Sequence, residues 1–377
     1  MYKQILKGGV ALYSYKGFFQ KLYKSRIPEC RFAGKTPEEF DSWRIKFKCE
    51  LNKTLGIDEL LNICESNSLN GTEKANPAEW VESVKEEGYI RHKYVIETLP
   101  GVKMPFYMLI PDNIKNGEKR RTMITLPAHG ASKESVAGVT ELAEVMEKLK
   151  ISPKENYGQE FVRRGYIVFC PDPPGYGERC ETITSEDQSF MPGIKQNKLG
   201  SSCKNLAITS EAFGISFAGL VLWDMIKLVD FIYNQPNIDR EKLGCAGFSG
   251  GGLYTLWLSA MDERIKLCII SGYIHGYYDS ILDTHLCPCN YVPKLWGLVD
   301  ISDIASLIAP RYLLIESGAK DVLNGHRGLI DIQEQYEKIK DIYTLLGKDD
   351  HVHLQTFEGP HMWWGNGYDF AGDVWGL

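Results

Sequence analysis

One serine stands among five glycines in residues 243–253, which read LGCAGFSGGGL. Glycine is unfavourable in regular structure, because it loses more backbone freedom on folding than other residues. The spacing Gly247-x-Ser249-x-Gly251 matches G-x-S-x-G, the tight strand-to-helix turn that exposes a nucleophilic serine. A glycine-rich turn can instead bind phosphate, but no lysine follows as that motif requires. We therefore predict that Ser249 is a nucleophile.

A serine hydroxyl is a weak nucleophile at neutral pH and needs a histidine base, which a carboxylate orients. In proteins with this turn, the carboxylate and the histidine follow the serine in that order. Asp321 comes in the loop after the strand-like run RYLLIES, whereas Glu316 is still inside that run. Because ligands of parallel sheets sit beyond the carboxyl ends of the strands, we predict Asp321 as the acid.

Four histidines follow the acid, and their positions relative to the strand-like run HVHLQTFEG separate them. His351 and His353 open that run and would lie at the wrong end of the sheet. His361 follows the run and meets the same rule as the acid. We predict His361 as the base, with His326, in the loop after the acid, as the alternative.

Hydrolysis through a serine also needs N–H donors for the oxyanion that forms on the substrate. Gly250 begins the helix after the nucleophile, so its amide points towards that position. The apolar run RRTMITLPAHGAS ends in a second loop at the same edge. We predict Ala131 as the second donor, with Gly130 as the alternative.

Short runs rich in β-branched and aromatic residues alternate with helical runs over most of the chain. The helical runs occupy residues 140–150, 218–233, 251–261 and 329–346. This alternation predicts an α/β protein with a doubly wound, mainly parallel sheet covered on both faces. RHKYVIETL and MPFYMLIP have no helix between them and predict an antiparallel edge.

The N-terminal part carries a different pattern. Phe40, Phe47 and Leu51 recur at helical spacing after Thr36, which forms a capping box with Glu39. We predict an N-terminal helical extension over residues 1–80 and a catalytic domain over 81–377. Residues 66–76 are polar and are typical of a linker.

The composition excludes several classes of function. A net charge of -6 gives no polycationic surface for nucleic acid. The N-terminus lacks an uninterrupted apolar core, and no long apolar span follows, so we expect a cytoplasmic protein without a membrane partner. The ten cysteines are then expected to be reduced. The sequence leaves open whether the chain forms oligomers.

With these motifs together, residues 89–365 resemble the α/β-hydrolase superfamily, and within it the dienelactone-hydrolase-like and acetyl-xylan-esterase-like bacterial esterases. The resemblance rests on the strand-to-helix turn at Ser249, called the serine elbow below, and on HGAS, GYIVFCPDPPGYGER, AGLVLWDMIKLVDFI and IASLIAPRYLLIESGAKD. It implies serine-dependent hydrolysis of small carboxylic esters, including acetyl esters of sugars, without a cofactor. Ser249 separates the chain from family members with a cysteine nucleophile.

Two other functions are compatible with the motifs. Oligopeptidases share the elbow and the fold, but the region before Trp80 is short and helical and does not encode their N-terminal propeller. A catalytically silent hydrolase fold could bind a ligand or a protein. The ordered set of Ser249, Asp321 and His361 favours an enzyme, because a binding module does not need all three.

The loop THLCPCNY contains residue types that could bind a metal ion. His285, Cys287 and Cys289 are residue types that bind zinc, but structural sites usually have a C-x₂₋₄-C pair and four ligands. We therefore predict no metal and expect this loop to shape the substrate pocket. The predicted pocket residues are Phe248, Tyr273, Trp296 and Trp363.

Two features of the pocket stay open in the sequence. Trp363 is equally compatible with packing of the C-terminal segment. Residues 178–216 lack periodicity and are long for a connection within a domain, which is typical of a lid or a pocket wall; a surface excursion is the alternative.

Overall fold

The computed structural model describes residues 6–7, 10–11, 15–67, 78–115, 117–141, 150, 154–181 and 202–376. Strands β1 and β2 form a small hairpin, and the other strands form one nine-stranded sheet. The strands are β1 Leu6–Lys7, β2 Val10–Ala11, β3 Glu79–Glu86, β4 Tyr89–Leu99, β5 Val102–Pro111, β6 Arg120–Leu126, β7 Ile167–Pro171, β8 Ile238–Phe248, β9 Leu267–Ser271, β10 Tyr312–Gly318 and β11 Val352–Phe357.

Helices lie between the later strands and before the sheet. In chain order they are α1 Lys16–Lys24, α2 Pro37–Leu55, α3 Ile57–Asn67, α4 Lys133–Ala137, α5 Tyr157–Arg163, α6 Cys203–Ala212, α7 Phe217–Tyr233, α8 Gly250–Met261, α9 Leu295–Leu298, α10 Ile301–Ser306, α11 Leu329–Leu345 and α12 Asn366–Trp375.

The sheet has the order β11-β10-β9-β8-β6-β7-β5-β4-β3. All neighbours from β11 to β7 are parallel, whereas β5, β4 and β3 form an antiparallel edge. The mainly parallel α/β fold class and the antiparallel pairing of β4 with β5 are thereby confirmed. Strand β3 was not predicted; most of its residues are exposed, so burial imposes little apolar pattern on its sequence.

The register of the parallel strands brings their carboxyl ends to one edge. Phe248 at the end of β8 lies opposite Ser271 in β9, which lies opposite Glu316 in β10. Gly318 at the end of β10 lies opposite Phe357 at the end of β11. The loops that follow these four strands therefore emerge side by side.

The N-terminal helices pack on the same core as the sheet. The predicted capping box at the start of α2 is present, because Thr36 accepts from the Glu39 amide and Glu39 accepts from the Thr36 amide. Helix α2 ends against α7, where the Ser216 amide donates to the Leu55 carbonyl at 3.1 Å. The domain division at residue 80 stays a prediction, and the linker segment lies almost wholly outside the described residues.

Two further predicted segments fall partly outside the described ranges. Residues 142–149 of the predicted helix 140–150 are among those not described, as are residues 182–201 of the predicted lid. The described end of the lid segment is helix α6. Among the helices described, none is by itself long and apolar enough to cross a bilayer; α6 and α7 reach that length and composition only as a pair, bent by 101°.

Candidate active site

Ser249 occupies the turn between β8 and α8 in a conformation that L-residues rarely adopt. Its φ of 57° and ψ of -117° lie outside the regions that L side chains favour. Such strain persists only where surrounding contacts enforce it, and it concentrates at functional sites. The amide of Ser249 donates to the Ser271 carbonyl at 2.9 Å, and the carbonyl of Ser249 accepts from the Leu253 amide at 3.0 Å. The serine is thus fixed between β9 and the first turn of α8.

The glycines around the serine are required by close backbone approach. A Cβ added to Gly247 would lie 2.2 Å from the carbonyl oxygen of Gly251, and one added to Gly251 would lie 2.0 Å from the carbonyl oxygen of Leu126. Neither distance can be accommodated without moving backbone. The glycine pattern therefore allows β8, α8 and the end of β6 to meet at the serine.

The structure brings Asp321 and His361 together. Nδ1 of His361 lies 2.6 Å from Oδ2 of Asp321, and the amide of Leu323 donates to Oδ1 of Asp321 at 2.8 Å. The aspartate side chain is only 1% exposed, so both of its oxygens have partners away from water. Because an ionised carboxylate only accepts hydrogen bonds, Nδ1 carries the proton and Nε2 is the basic nitrogen.

The imidazole of His361 lies beside the elbow. Its ring centre is 4.5 Å from that of Phe248, the residue before the serine, and a Cβ added to Gly272 would lie 3.1 Å from its Cε1 atom. Nε2 is buried and has no hydrogen-bond partner in the part of the chain described. A direct hydrogen bond between Ser249 and His361 is therefore not formed in this structure; such bonds commonly tighten only when substrate binds.

The other histidines after the acid lie elsewhere. His326 has an 82% exposed side chain and pairs with Asp283 on the surface, so the alternative base is not in this site. His351 stacks on Tyr312 at the start of β10. His353 is exposed near the start of β11, as the position of the strand predicts.

The two loops proposed for the oxyanion lie against each other. A Cβ added to Gly250 would lie 2.9 Å from the backbone nitrogen of His129. The amide of Gly250 lies in the first turn of α8, where N–H groups have no acceptor within the helix. The Ala131 amide, however, donates to the Ala128 carbonyl at 2.9 Å. An oxyanion would have to share the Ala131 N–H with the Ala128 carbonyl, or accept from the Gly130 amide instead. The assignments of Gly250 and Ala131 as oxyanion donors stay predictions.

An ion cluster around the buried Lys133 anchors the loop that contains His129. The ammonium of Lys133 lies 2.8 Å from Asp172, 2.5 Å from Glu134 and 3.1 Å from Glu178, and the Lys133 amide also donates to Asp172 at 2.8 Å. Burial by itself would lower the pKa of Lys133, but the attraction of the three carboxylates is larger, and the pKa is raised. The cluster fixes the start of α4 to the end of β7.

His275 is a buried residue near the site that sequence reasoning missed. It follows β9, its Nε2 lies 3.2 Å from the Ser280 hydroxyl, and its ring centre is 4.8 Å from that of Tyr273. Burial lowers the pKa of His275 to about 4, so the ring is neutral at physiological pH. Its place after a parallel strand in GYIHG was the available sequence signal.

The predicted pocket residues have different surroundings. Phe248 contacts the ring of His361, and Tyr273 is buried with its hydroxyl 3.2 Å from Oδ1 of Asn290. Trp296 is partly buried and packs against the main core. Trp363 has no exposed surface and stacks on Tyr157 with ring centres 4.6 Å apart. For Trp363 the pocket assignment is corrected, because the side chain packs the core below the C-terminal helix α12.

The fold and this edge of the sheet define an α/β-hydrolase. A sequence model of the Abhydrolase family matches residues 9–278, and the chain belongs to that family. The match includes the Ser249 elbow, whereas Asp321 and His361 lie beyond it.

Known proteins are similar to this chain in sequence or in fold. A protein of Bacillus subtilis (strain 168) named "Putative hydrolase YtaP" is 25% identical over 291 residues, which cover 72% of this chain and 84% of YtaP. The solved structure of a "putative acetyl xylan esterase" from Bacteroides fragilis NCTC 9343 has a TM-score of 0.69 and 17% identity, covering 94% of this chain and 84% of that chain. The solved structure of a glucuronoyl esterase from Solibacter usitatus has a TM-score of 0.64 and 13% identity, covering 93% of this chain and 98% of that chain. At such identities the solved structures show the shared fold.

Proposed function

We propose that this protein hydrolyses carboxylic esters through Ser249, Asp321 and His361, by way of an acyl-enzyme. The observation that carries the proposal is the 2.6 Å contact between Asp321 and His361, directly beside the strained serine elbow. The strained serine, the buried Asp321 and the position of His361 all support serine-dependent acyl transfer, because the aspartate orients an imidazole whose Nε2 has no hydrogen-bond partner among the described residues.

The reaction follows from the roles of these atoms. Nε2 of His361 removes the proton of the Ser249 hydroxyl as its oxygen attacks the ester carbonyl. Asp321 stabilises the imidazolium, and the amides of Gly250 and of the loop at 130–131 hold the oxyanion. His361 then protonates the leaving alcohol. Water, activated by the same imidazole, attacks the acyl-enzyme and releases the acid with regeneration of Ser249.

The substrates we propose are small esters of carbohydrates, with acetyl esters first. Two structurally similar proteins bear the names of acetyl xylan and glucuronoyl esterases, and both names describe esters on sugars. They support the substrate class and leave the acyl and alcohol groups of this enzyme to be measured.

The first test is labelling with a fluorophosphonate, read by intact mass and peptide mapping. We expect one adduct per chain, on Ser249, and no adduct on a folded Ser249→Ala variant. An adduct on another residue, or no adduct on folded protein, would overturn the proposed nucleophile.

The second test compares substrates. p-Nitrophenyl acetate, an acetylated xylo-oligosaccharide, a glucuronate ester and an aminoacyl anilide are supplied to wild-type enzyme and to Ser249→Ala. Turnover of the esters alone supports the proposal, whereas cleavage of the anilide alone identifies a peptidase. Saturable binding without any product would identify a catalytically silent hydrolase fold.

A further inference from the structure

Four potential metal ligands converge beside the candidate active site. Nitrogen of His129 and the sulfurs of Cys203, Cys287 and Cys289 all lie within 4.8 Å of one another. We call these four residues the thiol–imidazole cluster. They come from the loop after β6, the first turn of α6 and the long connection after β9, so the fold rather than local sequence assembles them.

The distances in this cluster are close to those of a tetrahedral site. With Zn–S bonds of about 2.3 Å and a Zn–N bond of about 2.0 Å, the ligand atoms of a tetrahedron are about 3.5–3.8 Å apart. Sγ of Cys203 lies 3.7 Å from Sγ of Cys287 and 3.3 Å from Nε2 of His129. Small rotations of the side chains would bring all four atoms to one ion.

Neighbouring groups support thiolates at this position. The side-chain amide of Asn290 donates to Sγ of Cys289 at 3.5 Å, and Tyr273 orients Asn290 from its other side. Cys203 and Cys289 are buried, whereas Cys287 is half-buried and His129 is exposed, so a bound ion would lie between the core and the surface. Polar groups that support the ligands in this way are typical of metal sites.

We propose that the thiol–imidazole cluster binds one Zn²⁺ ion through three thiolates and the imidazole of His129. Three cysteines with one histidine in tetrahedral arrangement form a closed, structural type of zinc site. The three thiol protons leave to solvent on binding, and no electron is transferred. The assignment replaces both the expectation of no metal and the alternative ligand His285, which is not among the four.

The described residues contain one other group of potential metal ligands, which is acidic and does not fit a metal ion as well. Glu134, Asp172 and Glu178 also lie close together, but the ammonium of Lys133 already contacts all three. A divalent ion there would have to displace a buried lysine. The soft sulfur ligands therefore mark the zinc site.

Zinc at this position would also hold the loop at residues 129–131, which carries the candidate oxyanion amides of Gly130 and Ala131. This extension of the proposal rests on the proposed function. His129 directly precedes Gly130 and Ala131, and its backbone nitrogen lies against Gly250. Fixing its ring to α6 and to the connection after β9 would fix the amides that follow it. We therefore assign His129 a positioning role rather than a catalytic one.

The test begins with metal content. The full chain, produced in zinc-supplemented medium and freed of loose metal by gel filtration, is analysed by inductively coupled plasma mass spectrometry. We expect close to one zinc per chain in wild type and in the control Cys49→Ser, whose cysteine is exposed on α2. Cys289→Ser should lose most of the zinc. Wild-type protein with no zinc would overturn the proposal, and so would Cys289→Ser with full zinc.

Cobalt gives a readout that does not depend on folding of a variant. Wild-type protein loaded with Co²⁺ after chelation should show the visible absorption of a tetrahedral ion and a near-ultraviolet thiolate charge-transfer absorption. Absence of both would contradict the site. A mass lower by two hydrogens, with thiols protected from alkylation, would instead identify a disulfide between Cys203 and Cys287.

The positioning role is tested separately from the active-site proposal. Removal of zinc should lower kcat at least tenfold with KM changed much less, and added Zn²⁺ should restore it. Zinc bound without any effect of its removal on kcat would overturn the positioning role alone. Absence of fluorophosphonate labelling at full zinc content would overturn the proposed nucleophile and leave the zinc site standing.

Discussion

The backbone of Gly251 touches the carbonyl of Leu126 so closely that an added Cβ would lie 2.0 Å from the Leu126 oxygen. Leu126 ends β6, and Gly251 belongs to the first turn of α8, which begins directly after Ser249. This contact joins the strand that leads to His129 with the helix that follows Ser249. It sets the distance between the two amide-bearing loops of the candidate site.

Substitution of Gly251 by alanine should therefore disturb both folding and turnover. We expect Gly251→Ala to lower the free energy of unfolding by at least about 2 kcal/mol, because backbone must move to admit the methyl group. Gly297→Ala is the matched control: a Cβ at Gly297 would meet no atom of the described residues within 4 Å, and alanine in α9 should be neutral or slightly stabilising. Urea denaturation measures both. Equal stability of the two variants would contradict this account of the elbow.

Replacement of Asp321 by asparagine should lower kcat by a factor on the order of 10³–10⁴, because a neutral amide does not stabilise the imidazolium. The variant should remain folded, as judged by circular dichroism. Asp350→Asn, on a side chain that is 85% exposed near the start of β11, is the control and should match wild type. Turnover of Asp321→Asn within twofold of wild type would remove Asp321 from the mechanism.

Loss of the Lys133 ammonium should be costly, because it would leave the buried Asp172 and Glu134 without their counter-ion, whereas Glu178 would keep its contact with Lys93. We expect Lys133→Met to destabilise the protein by about 3–5 kcal/mol. Lys320→Met provides the comparison: Lys320 is 72% exposed and 3.9 Å from Glu358, and its substitution should change stability by less than about 0.5 kcal/mol. Chemical denaturation of both variants decides the point, and a small effect at Lys133 would refute the anchoring role.

Glu316 should make stability fall as pH rises. Burial raises the pKa of Glu316 to about 7 from its ordinary value of 4.5, and its Oε2 atom has no partner in the described structure. Between these two values the folded protein binds more protons than the unfolded chain, so the stabilising contribution is complete below pH 4.5 and lost above pH 7.

Glu316→Gln should abolish this dependence. Relative to wild type, the variant should gain on the order of 3 kcal/mol between pH 4 and pH 8, at 1.36 kcal/mol per pKa unit. Thermal and urea unfolding across that range measure the difference, with Glu358→Gln, an exposed carboxylate, as control. A constant difference between wild type and Glu316→Gln across the range would exclude a shifted pKa.

The elbow and the strand ends were predictable from sequence because both are local patterns. G-x-S-x-G encodes close backbone approach at Gly247 and Gly251, and the positions of Asp321 and His361 follow from where β10 and β11 end. Strand β3 was not predicted, because most of its residues are exposed and an exposed edge strand does not need alternating apolar and polar residues.

The thiol–imidazole cluster could not be assembled from sequence spacing. His129 and Cys203 are 74 residues apart, and Cys203 and Cys287 are 84 apart. Only the parallel register of the sheet places the loops that contain them at one edge. Sequence reasoning noted Cys287 and Cys289 but paired them with His285, the histidine nearest in the chain.

His129 shares its loop with the candidate oxyanion amides and its imidazole with a group of cysteines. Under the zinc proposal, an alkylating agent that reaches the half-buried Cys287 would inactivate this enzyme without touching Ser249. Inhibition by iodoacetamide would then be seen alongside inhibition by fluorophosphonates. An assignment of mechanistic class from inhibitor profiles alone would then place the proposed serine esterase among the cysteine enzymes.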